Sequence, residues 1–151
     1  MKEIIVRQYQ DIIDNMANGL SKINTPKEGW IRTARKALGM SGAQLARRLN
    51  ISRQHVAQNE RNELSRAITL RTLDEMAAAM NCRVVYAIVP DKPMGQIMSE
   101  RAREKAERVI QQTAMHMALE EQSVSSESLQ FQLEQLELEM LKNHPSSLWN
   151  D

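Results

Sequence analysis

Residues Gly39 to Asn62 run Gly-Met-Ser-Gly-Ala-Gln-Leu-Ala-Arg-Arg-Leu-Asn-Ile-Ser-Arg-Gln-His-Val-Ala-Gln-Asn-Glu-Arg-Asn. The stretch reads as two short helices joined by a tight turn. Ser41 is a good N-cap, because its hydroxyl can accept a hydrogen bond from an unpaired N–H of the first turn. Leu45, Ala46 and Leu49 follow it at helical spacing. Asn50-Ile51 makes the turn, with Ile51 as the apolar plug beneath it. Ser52 is a second N-cap, and Val56 and Ala57 are the inward positions of the second helix. Ala46 is small where the two helices must cross closely. Arg53, Gln54 and Gln58 are left pointing outward on one face near the start of the second helix. Those side chains carry the donors and acceptors needed to read base edges in a DNA major groove.

The unit is thus a helix-turn-helix, and its flanks extend it. Trp30 to Leu38 is predicted as the preceding helix, with Trp30, Ile31, Ala34, Ala37 and Leu38 on its apolar side. Gly39 should end it in the left-handed conformation that glycine takes freely. Asn62 is the expected stop of the second helix of the pair, and Glu63 to Ile68 a loop. Thr69 caps a helix through Met80, with Leu70, Leu73, Met76, Ala77 and Met80 inward. Val84, Val85, Tyr86, Ala87, Ile88 and Val89 are β-branched, aromatic or small, and Pro90 closes them off; they read as a strand. A single strand cannot satisfy its own ladder. No second strand is visible in the sequence, so the expected partner is the same strand of another copy.

At the N-terminus, residues 3 to 20 form an amphipathic helix, with Ile5, Tyr9, Ile12, Ile13, Met16 and Leu20 as its inward set. Ser21 to Gly29 is a loop broken by Pro26. Beyond Pro93 a long helix, Met94 to Glu121, has a weak alanine- and methionine-rich inward set: Met98, Ala102, Ala106, Val109, Ile110, Thr113 and Met117. After a break at Gln122 to Ser126, a final helix to Leu141 carries Leu129, Leu133, Leu136 and Met140. His144 to Trp149 is an irregular tail with one large apolar anchor. The expected fold is mainly α: a five-helix repressor-like core with one short β-strand pairing across a dimer, plus C-terminal helices. The expected domains are 1–28, 29–90 and 91–151.

Charge is unevenly placed. Over 29–71 nine basic residues face two acidic ones, a balance of +7, whereas over 120–151 seven acids face one lysine, a balance of −6. A basic middle beside an acidic tail suits a polyanion-binding core and a different role for the tail. Cys82 is the only cysteine, so neither an intrachain disulfide nor a cysteine zinc cluster can form. A reducing cytoplasm fits, and no signal peptide or membrane span is expected. His116 and His144 have no Cys or acidic partner at ligand spacing, so no metal or other cofactor is expected. The serines Ser125, Ser126 and Ser128 stand without a His-Asp arrangement, so no hydrolase is expected either. The chain does not read as an enzyme.

The string from Arg35-Lys36-Ala37-Leu38-Gly39-Met40-Ser41 through Gln44-Leu45-Ala46 and Ile51-Ser52-Arg53-Gln54-His55-Val56 to Glu60-Arg61 resembles the phage-repressor/Cro-like (XRE) helix-turn-helix family. Gly29-Trp30-Ile31-Arg32 before it and Val85-Tyr86-Ala87-Ile88-Val89-Pro90 after it resemble the family called mobile mystery protein A. Members of that family are encoded beside a Fic-domain protein, which implies a toxin–antitoxin-like pairing. The resemblance implies that Arg35 and Glu60 pair between the first and recognition helices, and that Arg53, Gln54 and Gln58 contact bases. A phosphate-contacting Gln common at the start of the leading helix is Gly42 here, whose N–H can still bind phosphate. The run Asn24 to Gly29 lacks the Ser or Thr of a Fic-inhibitory helix and contains Pro26, so no inhibitory motif is assigned.

Candidate backbone contacts are Ser41, Gly42, Arg47, Ser52, His55, Arg61, Arg66 and Thr69. For His55, Arg61 and Arg66 simple solvent exposure is the competing reading, and Thr69 is most simply a cap. The function expected is a homodimeric, sequence-specific transcriptional regulator on a pseudo-palindromic operator, an antitoxin-like autorepressor of its own operon. The alternative is a protein-binding antitoxin whose C-terminal helices neutralise a Fic-domain partner. A plainer role for residues 91–151 is reinforcement of the dimer.

Overall fold

The computed structural model describes residues 2–119, 125–143 and 145–150. Seven α-helices follow one another among them: α1 Lys2–Leu20, α2 Trp30–Ala37, α3 Gly42–Leu49, α4 Arg53–Ser65, α5 Leu70–Ala79, α6 Met94–Leu119 and α7 Ser126–Asn143; a 3-10 helix, Pro145–Trp149, ends the series. The chain divides into two compact units, one of residues 22–87 and one of residues 1–21 with 88–151. This grouping differs from the expected division at 28 and 90, since α1 joins the C-terminal helices. The helix-turn-helix unit therefore holds four helices rather than five.

In the 22–87 unit, Ile31, Leu45, Ala46, Val56, Met76 and Met80 form the core, with Ala34, Met40, Leu49, Ile51, Ile68 and Leu73 packed around it. Each of α2 to α5 contributes at least one of these side chains, as period-3.6 patterning requires. The caps are local and strong. The Ser41 hydroxyl accepts from Gln44 N–H while the Gln44 side chain accepts from Ser41 N–H, a complete capping box. Ser52 Oγ accepts from His55 N–H and Thr69 Oγ1 from Thr72 N–H. Asn50 takes the left-handed conformation in the turn, and Gly39 does so after α2, as expected.

Several expectations fail here for identifiable reasons. Trp30, Leu38 and Leu70, read as inward, are about half exposed; they sit at helix ends, where the core face has run out. The stop of α4 is not Asn62. The helix continues to Ser65 and Arg66 takes the left-handed position, so 63–65 are helix rather than loop. Both Ala67 N–H and Ile68 N–H donate to the Asn62 carbonyl, which closes the helix end without a left-handed Asn62.

The extra turn has a purpose. It carries Glu63 back to the start of α2, where its carboxylate accepts from Trp30 N–H (2.6 Å) and Ile31 N–H (2.8 Å). The N-cap of α2 is Gly29, which has no side chain to serve those donors. Gly29 lies at φ 84°, and a Cβ there would meet Glu63 Oε2 at 2.5 Å. The backbone conformation favours glycine here, and a Cβ would push the capping carboxylate away. Ile31 is almost fully buried, so its N–H has no ready replacement partner. Glu63→Ala is expected to lower stability by about 1–2 kcal/mol, measured by urea denaturation; an unchanged midpoint would show that the cap contributes nothing.

The strand is a further correction. Residues 82–90 carry no regular secondary structure, and Val84–Val89 form no ladder. Among the described residues no hydrogen bond joins the backbone of 83–91 to any other group. A strand is defined by its partner, and the described residues supply none.

In the other unit α6 and α7 pack along each other, and Ala102, Ala106 and Leu133 are buried in this unit. The 3-10 helix seats Leu148 in this core, fully buried, while Trp149 stays about half exposed. Arg101 Nε donates to the Leu148 carbonyl, and Lys105 Nζ to those of Ser147 and Asn150. Asp14 on α1 accepts from Met94 N–H, capping α6. The expected break at 122–126 and the residue His144 lie largely outside the described residues: 120–124 and 144 are not among them.

The face of α1 is shifted by one residue from expectation. Val6, Gln10, Ile13, Ala17 and Leu20 are half-buried. Ile5, Tyr9, Ile12 and Met16, expected inward, are 47%, 67%, 58% and 42% exposed. The apolar residues of α1 make two adjacent stripes, and the unit uses only one.

Candidate nucleic-acid interface

Helix α4 is held from beneath by Val56 and Asn59, both buried. Asn59 Nδ2 points to Met76 Sδ at 3.7 Å. That orientation turns Arg53, Gln54, His55 and Gln58 to the outside, and all four are exposed. Arg53, Gln54 and His55 make no side-chain hydrogen bond among the described residues, so their polar atoms face solvent. Gln58 differs: Arg61 Nη2 donates to its Oε1 and its Nε2 donates to Asn62 Oδ1, each at 2.8 Å. The amide is thereby oriented, yet keeps one further N–H and one further lone pair for a base edge.

Three helices of this unit, α3, α4 and α5, begin at N-termini capped by a side-chain hydroxyl. In each, the cap satisfies the third N–H, and the first two have no partner among the described residues: Gly42 and Ala43 in α3, Arg53 and Gln54 in α4, Leu70 and Arg71 in α5. Such N–H groups, with the helix dipole behind them, suit phosphate oxygens. Thr69 is the cap that was expected, its hydroxyl also donating to Thr72 Oγ1. Ser41 and Ser52 likewise serve as caps. Arg47 is exposed without a partner among the described residues. Arg48 is engaged structurally, donating from Nε to the Ala79 carbonyl at the end of α5. Arg61 is tied to Gln58, and Arg66 is exposed at the end of α4.

The Arg35–Glu60 pair forms. Arg35 Nε donates to Glu60 Oε1 at 2.8 Å and Nη2 to Oε2 at 3.3 Å, while Nη1 donates to the Met40 carbonyl. Side-chain exposures of 13% and 12% place the pair largely out of water. It ties α2, the turn before α3 and the middle of α4 together. Glu63 and Gln44 are the structural residues that the sequence reading did not single out. Gln44 was legible as the fourth member of a Ser-x-x-Gln capping box; Glu63 had no local signal.

No group of three or more His, Cys, Asp or Glu side chains that could hold a metal ion occurs among the described residues. A shallow apolar groove lined by Ile5, Val6, Met98, Pro145, Ser146 and Trp149 has one polar side chain and no acid–base pair. No described helix is long and apolar enough to cross a membrane.

Comparison with known families agrees with this geometry. Residues 31–86 match the family model described as helix-turn-helix. The match spans α2 to α5, a little over a third of the chain, and supports a DNA-binding regulator of the XRE type. No curated protein and no solved structure matches the chain.

Proposed function

We propose that the protein is a sequence-specific transcriptional regulator that binds a pseudo-palindromic operator as a homodimer and represses its own operon. The observation that carries this reading is the exposed Arg53, Gln54 and Gln58 face of α4. Arg and Gln there match guanine and adenine edges respectively. The free N–H groups of three helices, with Arg47, His55, Arg61 and Arg66, supply phosphate contacts that set register and make affinity salt-dependent. Dimerisation is proposed through Val84–Val89, whose backbone groups have no hydrogen-bond partner among the described residues. A cytoplasmic location accords with this role.

The test is a gel shift on the DNA upstream of the protein's own reading frame. Arg53→Ala and Gln54→Ala are each expected to lose about 1–3 kcal/mol of discrimination between operator and random DNA. Equal losses on both DNAs would remove these residues from base reading.

A second reading is favoured by α7. Phe131 and Leu138, one heptad apart, are 63% and 61% exposed, on a helix rich in acidic residues. Such a face suits a protein partner. In this reading the C-terminal helices neutralise a Fic-domain toxin and DNA binding is autoregulation. A Fic-domain protein in the neighbouring frame that co-purifies with the chain would support it; its absence there would weigh against it.

A further inference from the structure

We infer that α1 pairs with α1 of a second copy as a short antiparallel coiled coil through Ile5, Tyr9, Ile12 and Met16. The inference goes beyond the operator-binding reading and does not need it. The four side chains are spaced 4, 3 and 4 residues apart, the spacing of a knobs-into-holes seam. All four are 42% or more exposed, while the neighbouring stripe from Val6 to Leu20 is taken up by the unit's own packing.

The occupant follows from symmetry and charge. Read in reverse, the spacing is unchanged. A two-fold axis midway along α1 therefore sets Ile5 against Met16 of the second copy and Tyr9 against its Ile12, every contact occurring twice, as an isologous interface requires. The side chains flanking the seam on its free side are Gln8 and Asn15, both uncharged and exposed. On that side self-pairing brings no like charges together, and no row of charge is present there to select a partner of opposite sign. Tyr9 keeps its hydroxyl at the edge, where it stays hydrated.

The experiment is sedimentation equilibrium of the full chain without DNA. Tyr9→Glu places a carboxylate opposite Ile12 twice per dimer and is expected to weaken self-association by at least about tenfold. Adding Ile12→Lys to the same chain sets Glu against Lys at both places in the antiparallel register, and is expected to bring self-association back towards the wild-type value. The reversed pair, Tyr9→Lys with Ile12→Glu, should behave alike. In a parallel register the double variant would oppose Glu to Glu and Lys to Lys, without recovery. A monomeric wild type, an unchanged Tyr9→Glu variant, or a double variant as weak as the single one would each overturn the proposal. Because no DNA is present, failure here leaves the operator reading standing, and loss of base discrimination at Arg53 or Gln54 leaves the seam standing.

Discussion

Arg35→Ala is expected to destabilise the helix-turn-helix unit by about 3 kcal/mol, because it strands the Glu60 carboxylate in a site largely closed to water. Glu60 is 12% exposed on its side chain and takes two hydrogen bonds from the guanidinium. The third bond, to the Met40 carbonyl, holds the turn that leads into Ser41. Its loss loosens the entry to α3 as well. Lysine is a poor substitute, since it cannot make the forked contact and reach Met40 together. The measurement is chemical denaturation followed by circular dichroism. A double variant, Arg35→Met with Glu60→Leu, separates charge burial from packing. If the main effect of Arg35→Ala is an unpaired carboxylate, the double variant recovers much of the loss, since apolar replacement of a buried pair is often near neutral. A single variant with unchanged stability would show that solvent already screens the pair.

Local chemistry was legible and distant chemistry was not. Ser41, Ser52 and Thr69 are caps because a hydroxyl three residues before an N–H reaches it whatever else the chain does. Gly39 was legible for the same reason, since left-handed backbone has few tolerant residues, whereas Asn50 was legible only as part of the turn. The face of α4 followed from Val56 and Ala57 alone. The end of α4 was misread because Asn62 is a plausible left-handed stop, whereas the actual closure needs Ala67 and Ile68 to turn back onto its carbonyl. Glu63 escaped notice because its partners, Trp30 and Ile31, lie more than thirty residues earlier in sequence. On α1, apolar residues at 5, 9, 12 and 16 and at 6, 13, 17 and 20 give overlapping helical periods. Periodicity shows that such a helix has much apolar surface; only packing decides which stripe is used.

Ala87→Pro is expected to abolish tight operator binding while leaving the helix-turn-helix unit folded. Residues 83–91 have no backbone hydrogen bonds within the described chain, and Val85, Tyr86 and Ile88 are 65%, 73% and 78% exposed. Exposed β-branched and aromatic side chains on unpaired backbone make an adhesive edge. Antiparallel pairing of Val84–Val89 with its two-fold mate would satisfy the facing ladder groups and cover part of that apolar surface. It would also tie the end of one helix-turn-helix unit to its mate, setting the recognition helices for half-sites about 34 Å apart. Proline at 87 removes a ladder donor in the middle of the segment. The core side chains Ile31, Leu45, Val56 and Met76 lie elsewhere, so circular dichroism should be unchanged. Self-association should weaken without vanishing if the α1 seam also holds the copies together. Operator affinity should fall roughly 10²–10⁴-fold towards that of a single half-site, because the second recognition helix is no longer held at the operator's spacing. A variant that still binds its full operator with wild-type affinity would place the spacing of the recognition helices under the control of another contact, and would remove Val84–Val89 from the dimer.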